Sequence, residues 1–261
     1  MSLREFFFLP IVASSHGQEI DFVIYLVHFL MLALLVGWGG FFIFSVIRFS
    51  KWFHPKANYH GVKSHASTYI EIVVALIEVA LLVGFSIPFW SKQVNAFPSD
   101  RPDAVELRVV AEQFAWNIHY PGADGLFGNT DPKFFNKQSN PLGIDPDDPN
   151  GKDDITTINQ LHLPIGRPAI IRLSSKDVIH SFAIPVMRVK QDAIPGLSIP
   201  VWFTPTKSGE FDIACAQLCG IGHYYMKGKL VIHHAEEYQA WLDANAPSDD
   251  EDEGEYDDFW N

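Results

Sequence analysis

The residues best suited to do chemistry lie together near the C-terminus, in Cys215-Ala-Gln-Leu-Cys219-Gly-Ile-Gly-His223-Tyr-Tyr-Met226. Two thiols, an imidazole and a thioether fall within twelve residues. Glycines at 220 and 222 let the backbone turn tightly, so these side chains can converge. Thiolate and thioether are soft ligands that select copper or iron–sulfur clusters over magnesium or calcium. The stretch therefore predicts a site for a soft metal.

Three alternatives use only part of this set. A Cys-x-x-x-Cys disulfide leaves His223 and Met226 without a role. A zinc site uses cysteine and histidine at its usual spacings and no methionine. A single blue-copper site uses one cysteine with two histidines and a weak methionine, so one cysteine is left over. Two coppers bridged by both thiolates use the whole set but need a second histidine, which His180 supplies in Asp177-Val-Ile-His180-Ser-Phe-Ala-Ile-Pro185, between two predicted strands.

The elements that must position these residues read as an all-β sandwich or barrel. Short segments rich in Val, Ile and Phe, separated by Pro and Gly, are typical of such domains. They are 105–120, 167–173, 201–203, 210–214 and 229–233. A loop insertion rich in Gly, Pro, Asp and Asn covers about 121–159. Helical spacing of Tyr238, Trp241 and Leu242 predicts a short closing helix over 235–246.

Two apolar runs predict a membrane anchor ahead of this domain. The run Phe22–Ile47 lacks Asp, Glu, Lys and Arg and exceeds the roughly 20 residues that span a bilayer. The run Tyr69–Phe89 is also long enough, although it contains Glu71 and Glu78. We therefore expect a transmembrane hairpin with helices at about 22–47 and 69–89.

The predicted organisation has three parts. Residues 1–91 form the anchor, residues 92–246 form the β-domain, and residues 247–261 form an acidic tail. The first 15 residues fit a secretory leader only weakly, so we favour an uncleaved N-terminus.

The loop between the two runs predicts their orientation. Residues 48–68 carry Arg48, Lys51, Lys56 and Lys63 and no acid. By the positive-inside rule this loop is cytoplasmic, which places the C-terminal domain on the opposite side of the membrane.

The charge of the chain bears on its partners. The formal net charge is −12, and the acids lie mainly in the soluble half and the tail. An acidic surface argues against nucleic acid and favours a basic protein partner. Asp192 is the best single candidate for contact with that partner.

The chain resembles subunit II of the haem–copper cytochrome c oxidases. DVIHSFAIP, KQDAIPG and CAQLCGIGHYYM match three signature segments of that family, in the same order. The resemblance extends from the first apolar run to about Ala246.

This resemblance implies a cupredoxin-like fold and a dinuclear copper centre, CuA. Cys215 and Cys219 would bridge the two coppers, and His180 and His223 would each bind one. Met226 and the main-chain carbonyl of Gln217 would complete the set. The implied protein accepts electrons from a periplasmic cytochrome c or an equivalent donor and passes them to haem in subunit I. Its implied setting is the bacterial inner membrane, among lipid and oxidase subunits I and III, where the complex reduces oxygen and pumps protons.

The chain departs from the family pattern in two places. Gln217 stands where a glutamate commonly helps to bind magnesium at the boundary with subunit I, which puts that ion in doubt. Phe114 stands where a tryptophan commonly receives electrons, so Phe114 and Trp116 are both candidates for electron uptake.

The resemblance also bears on the two acids of the second apolar run. Glu71 matches a carboxylate at the mouth of a proton path, whereas relatives often have proline at the position of Glu78. We expect both acids to face protein or water.

Two rival functions stay open at this point: the CuA subunit of a nitric oxide reductase, and a free-standing membrane copper carrier. Related quinol oxidase subunits lack the copper ligands that this chain has. The sequence contains no Cys-x-x-Cys-His, so a fused c-type haem is not expected.

Overall fold

The computed structural model describes residues 2–56, 59–61, 63–98 and 100–247. The chain divides into two compact units. One contains Met1–Leu9 and Gln18–Phe97, and the other contains Pro10–Gly17 and Pro98–Asn261. The predicted acidic tail lies almost wholly outside the described residues.

The first unit is helical. After a short helix α1 (Leu3–Phe6), α2 spans Gly17–Arg48, and a second long helix spans Ala66–Asn95. Both long helices have the length and composition needed to cross a membrane. They extend beyond the predicted limits because polar residues continue each helix past its apolar run.

The second long helix is interrupted by one wide turn. It consists of α3 (Ala66–Leu81), a π-helical turn (Leu82–Ser86) and α4 (Ile87–Asn95). Pro88 lies at the start of α4 and cannot donate a main-chain hydrogen bond to the preceding turn. The π-turn falls where that donor is missing, which is a common place for such a distortion.

The second unit is a sandwich of two five-stranded sheets. The strands are β1 Val105–Glu112, β2 Ala115–Tyr120, β3 Ile155–Ile158, β4 Gln160–Pro164, β5 Ala169–Ser175, β6 His180–Ile184, β7 Val189–Ala193, β8 Ile199–Phe203, β9 Gly209–Cys215 and β10 Lys227–His233. The first sheet has the order β3-β2-β1-β5-β8, and the second has the order β4-β10-β9-β6-β7. The closing helix is α5, Ala235–Asn245. The expected class, a two-helix hairpin followed by an all-β sandwich, is confirmed.

Alternation along the strands builds the core. On β1 the buried residues Leu107, Val109 and Ala111 alternate with partly exposed ones, as a strand with one face on the core requires. Fully buried side chains from both sheets fill the space between them, among them Trp116, Phe182 and Phe203. The rest of the sandwich is therefore a rigid support for the loops at its ends.

The loop insertion ends at Asp154, because residues 155–158 form β3. The insertion covers the outer face of the first sheet, where Asp154 accepts a hydrogen bond from His119 Nε2 at 2.6 Å. A cleft of about 680 Å³ lies beneath it, with Arg108, Phe135 and Lys176 in its walls.

A segment near the N-terminus belongs to the β-sandwich. Ala13 N–H donates to Val186 O at 2.8 Å, and Thr206 N–H donates to Ala13 O at 2.8 Å. The buried Ser14 hydroxyl donates to Met187 O at 2.7 Å. Sequence pattern did not predict this pairing, because it joins residues 173 positions apart.

Candidate metal centre

The candidate centre lies where two strands of the second sheet end. His180 is the first residue of β6 and lies in the sheet beside β9, which ends at Cys215. The sequence pattern predicts His180 between two strands, whereas in the structure it lies in a strand and is fully buried. A strand of a packed sandwich moves less than a loop, so the position of His180 is well fixed.

The loop from β9 to β10 carries the remaining candidates. Cys215 N–H donates to Met226 O at 3.2 Å, which closes the base of the loop. A short helical turn, His223–Tyr225, precedes Met226. Gly220 has a φ of +135°, a conformation that favours glycine.

Six potential ligand atoms converge in this loop and on β6. The sulfurs of Cys215 and Cys219 are 3.7 Å apart. Cys215 Sγ lies 3.9 Å from His180 Nδ1 and 3.2 Å from the main-chain oxygen of Gln217. Cys219 Sγ lies 3.6 Å from His223 Nδ1 and 3.9 Å from Met226 Sδ.

These separations suit shared metals. Two ligands on one tetrahedral ion, with bonds of roughly 2.0–2.3 Å, are about 3.3–3.8 Å apart. Within the described part of the chain, His180, Cys215 and Cys219 form the one group of three His, Cys, Asp or Glu residues whose ligand atoms all lie within 4.8 Å of one another. Both cysteines are free thiols in this structure. A set of two thiols, two imidazoles, a thioether and a carbonyl fits copper by ligand type.

Burial raises the pKa of one of the two candidate cysteine ligands. Cys219 is 4% exposed, and burial, reinforced by the adjacent Cys215 thiol, raises the pKa of Cys219 to about 11. A metal must therefore displace a proton from Cys219 on binding.

Asp177 and Gln113 support the candidate ligands and were not predicted as site residues. His180 Nε2 donates to Asp177 Oδ1 at 2.9 Å, which leaves His180 Nδ1 for a metal. Burial raises the pKa of the Asp177 carboxyl, but hydrogen bonds from His180 and from the main chain outweigh it and hold that pKa below its usual range. A carboxylate three residues before a candidate histidine ligand is the sequence signal that identifies Asp177.

The two aromatic candidates differ in position. Phe114 is partly buried against the loop, and its ring centroid lies 5.7 Å from that of Tyr225. Trp116 is fully buried, with ring centroids 6.2 Å from His180 and 5.3 Å from Phe182. Trp116 is therefore inside the domain and makes no contact with solvent, so it cannot touch a docked donor directly.

The other predicted side chains are not among these six ligand atoms. Asp192 is exposed on the edge strand β7, beside Ala193, which pairs with His180. Glu71 and Glu78 lie on α3 in the helical unit and are exposed on this chain. The Gln217 side chain is also exposed.

Comparisons with known proteins identify the family of this chain. The model of the periplasmic domain of cytochrome c oxidase subunit II matches residues 106–234. The alternative cytochrome c oxidase subunit 2 of Bradyrhizobium diazoefficiens is 32% identical over 236 residues, which cover 89% of this chain and 82% of the relative. Cytochrome c oxidase subunit 2 of Cereibacter sphaeroides is 28% identical over 214 residues, which cover 77% of this chain and 69% of the relative.

Among solved structures, the periplasmic domain of cytochrome oxidase subunit II of Bradyrhizobium japonicum is 28% identical, with a TM-score of 0.40. That alignment covers 54% of this chain and 92% of the solved domain. The sequence match to the Bradyrhizobium diazoefficiens relative extends over most of both chains, through the helices as well as the sandwich. This chain therefore belongs to the cytochrome c oxidase subunit II family.

Proposed function

We propose that this chain is the electron-accepting subunit of a bacterial cytochrome c oxidase and holds a dinuclear copper centre. The observation that carries the proposal is the convergence of two thiols with two imidazoles, a thioether and a carbonyl oxygen, at separations of 3.2–3.9 Å. A single metal does not need both thiols, whereas a bridged pair uses every one of these atoms.

Each residue then has one role. Cys215 and Cys219 would bridge the two metals, while His180 and His223 would each bind one. Met226 and the Gln217 carbonyl would act as the weak ligands. When bound, a thiolate-bridged copper pair shares one electron between both metals, so its bond lengths change little on reduction.

The protein holds the candidate ligands in fixed positions and shields several of them from solvent. His180, Cys219 and Met226 are 0–4% exposed, so solvent would have little access to metals bound by these side chains. Strand β6 holds His180 and strand β9 ends at Cys215, while the loop between β9 and β10 holds the other candidate ligands. A site whose ligands are held in place in this way is preorganised for its metals. All six candidate ligand atoms would bind the metals, which would leave no ligand position for a substrate.

The surface near the loop suggests a path for electrons. The Phe114 ring is partly exposed and packs on Gly220 and Gly222 of the loop between β9 and β10, so it is the better candidate for contact with a donor. Trp116, packed on His180, would lie inside the path rather than at its start. Asp192 would attract a basic cytochrome c to the exposed edge of the second sheet.

The helical unit would anchor the chain in the inner membrane, with the sandwich on the periplasmic side, among lipid and subunits I and III. Glu71 and Glu78 are seven residues apart, so they share one face of α3 about 10 Å apart along its axis. Acids within a membrane-spanning helix usually face protein or water rather than lipid. We assign both to a proton path beside subunit I. A magnesium ion held by the neutral Gln217 side chain would bind weakly.

The test is copper loading of the full chain in detergent. We expect two coppers per chain and an electron paramagnetic resonance spectrum from one unpaired electron shared equally by two nuclei. Cys215→Ser should abolish the shared spectrum. Met226→Leu should keep both coppers and change the reduction potential, because a thioether is a weak ligand.

Met187 provides the matched control, since it is a fully buried methionine of the core with its sulfur outside the candidate ligand set. Met187→Leu should leave the spectrum and potential unchanged. A single-copper spectrum in the wild-type chain, or zinc in native material, would refute the proposal. Consumption of oxygen rather than nitric oxide by the purified complex separates the oxidase from the reductase.

A further inference from the structure

Gln113 joins two parts of the candidate copper centre that are far apart in sequence. It follows β1, at the turn into β2. Its main-chain N–H donates to Asp177 Oδ2 at 2.7 Å. Its side-chain Nε2 donates to the Cys219 carbonyl at 2.6 Å. These partners lie 64 and 106 residues away.

Asp177 connects Gln113 to the candidate ligand His180 through hydrogen bonds to its two carboxylate oxygens. Its second oxygen, Oδ1, accepts from His180 Nε2 at 2.9 Å and from Val178 N–H at 2.7 Å. One carboxylate thus bonds to the turn at Gln113 and to the His180 imidazole. A histidine ligand whose other nitrogen is held this way keeps one tautomer and one ring orientation.

The two glycines of the copper loop make room for this turn. A Cβ at Gly220 would lie 2.7 Å from Gln113 Nε2, and a Cβ at Gly222 would lie 2.4–2.6 Å from ring atoms of Phe114. The side chains of Gln113 and Phe114 therefore lie directly on the loop. Any residue larger than glycine would separate the turn from the ligands.

We propose that Gln113 is a positioning residue that fixes Phe114, His180 and Cys219 in one arrangement. It bonds to the histidine ligand through Asp177, to the cysteine ligand through a carbonyl, and to Phe114 through the chain itself. The proposal rests on the proposed copper function. Gln113 is itself exposed, so it contributes little to the core, and its effect should appear at the centre rather than in overall stability.

The experiment uses copper-loaded full chain in detergent and two substitutions. Gln113→Glu replaces the donor NH₂ by an oxygen that cannot donate to the Cys219 carbonyl. Gln113→Leu removes the donor without adding charge. Both keep the main-chain N–H that holds Asp177. Gln113→Lys restores a donor, and Gln239→Glu is the matched control on α5, where the glutamine bonds only to Asp243 among the described contacts.

We expect Gln113→Glu and Gln113→Leu to lose copper to a chelator about 10–100-fold faster than wild type, the usual effect of removing an outer partner of a metal ligand. The coupling of the unpaired electron to the two copper nuclei should become unequal. Far-ultraviolet circular dichroism and the thermal midpoint should stay near wild type. Gln113→Lys should recover most of the copper retention, and Gln239→Glu should match wild type in every measurement.

The outcomes separate the two proposals. If the wild-type chain shows no two-copper spectrum, the proposed function fails first. If wild type shows that spectrum and both donor-free variants match it in spectrum and copper release, the positioning role of Gln113 is wrong while the copper function stands. If the variants only lower the thermal midpoint and leave the spectrum unchanged, Gln113 is structural and the inference is also wrong.

Discussion

Gly222 shows how one residue can have a different role from the one its type suggests. From the sequence, both glycines of the loop are expected to allow a tight turn of the backbone. Gly220, with φ +135°, fits that reason. Gly222 has φ −91°, which any residue can adopt. The reason for glycine at 222 is space, because the Phe114 ring lies where a side chain would start.

Gly222→Ala should therefore destabilise the chain through a clash. The new Cβ would meet the Phe114 ring at 2.4–2.6 Å, and overpacking of this kind costs about 1–3 kcal/mol. A loss of 1 kcal/mol lowers the melting temperature by about 2–4 °C in chains near this size. The thermal midpoint of the full chain measures the effect.

The paired change Gly222→Ala with Phe114→Leu should recover much of that stability, because the smaller leucine can yield to the methyl group. If the two losses simply add, Phe114 is not the group that requires glycine at 222.

At the scale of elements, local patterns predicted some segments and missed others. The long helices and α5 were predicted because apolar runs and helical spacing are local signals. The five residues of β6 are all buried, so that strand shows no alternation and was not predicted. β2 is buried at nearly every position, since the insertion covers its outer face, and alternation could not show that Trp116 points inward.

The candidate ligands were predictable because five of the six lie in one short segment, 215–226, that contains two thiols, an imidazole and a thioether. The support from Gln113 and the pairing of Ala13 with Val186 were not predictable, because each joins distant parts of the chain. Sequence spacing contains no information on which of many polar residues will meet such a partner.

The contact between α5 and β4 contains a titratable group. The His162 ring stacks on Trp241 with centroids 4.2 Å apart, and its Nδ1 lies 2.8 Å from His233 Nε2. Burial, with a smaller contribution from His233, lowers the pKa of His162 to about 4. Helix α5 therefore packs on an imidazole that stays neutral in the folded chain at pH 5–7.

This shift predicts lower stability in acid. Between about pH 6.5 and pH 4 the unfolded chain binds a proton at His162 that the folded chain does not, so the free energy of unfolding falls as pH falls. The loss from this group between pH 7 and pH 5 is at most about 2 kcal/mol. Thermal midpoints at the two pH values measure it.

His162→Phe keeps a ring against Trp241 and removes the titration, so the difference between pH 7 and pH 5 should shrink. It should not vanish, because burial also lowers the pKa of His233. An unchanged difference would exclude His162 as a source of acid sensitivity.

At the scale of the whole molecule, the proposed proton and electron functions belong to separate units. Glu71 and Glu78 lie on α3, while the candidate metal ligands lie in the sandwich. In the assembled oxidase, Glu71→Gln and Glu78→Gln should each slow oxygen consumption and leave the copper spectrum unchanged. Full activity of Glu78→Gln, or failure of that variant to assemble, would leave Glu78 with a structural role only.

In the same assay, Asp192→Asn should affect the uptake of electrons from the donor rather than the uptake of protons. Electron uptake from a basic cytochrome c should fall as salt rises, since the screening length shortens to about 8 Å at physiological ionic strength. Asp192→Asn should weaken that salt dependence and leave the Glu71 and Glu78 effects unchanged. A flat salt profile in the wild type would indicate a donor that is not steered by charge.

The hydrogen bonds between residues 13–15 and the C-terminal half of the chain also determine when the sandwich can be completed during synthesis. Ser14 is synthesised early, but its partner Met187 is 173 residues further along the chain. At about 5–20 residues per second, the ribosome needs on the order of 10–35 s to reach it. During that interval the hydrogen-bonding groups of Ala13, Ser14 and Ser15 lack the partners they have in the finished domain. Residues 13–15 thus leave the ribosome long before they can form their final hydrogen bonds, and a protease or a neighbouring chain can reach them during that period.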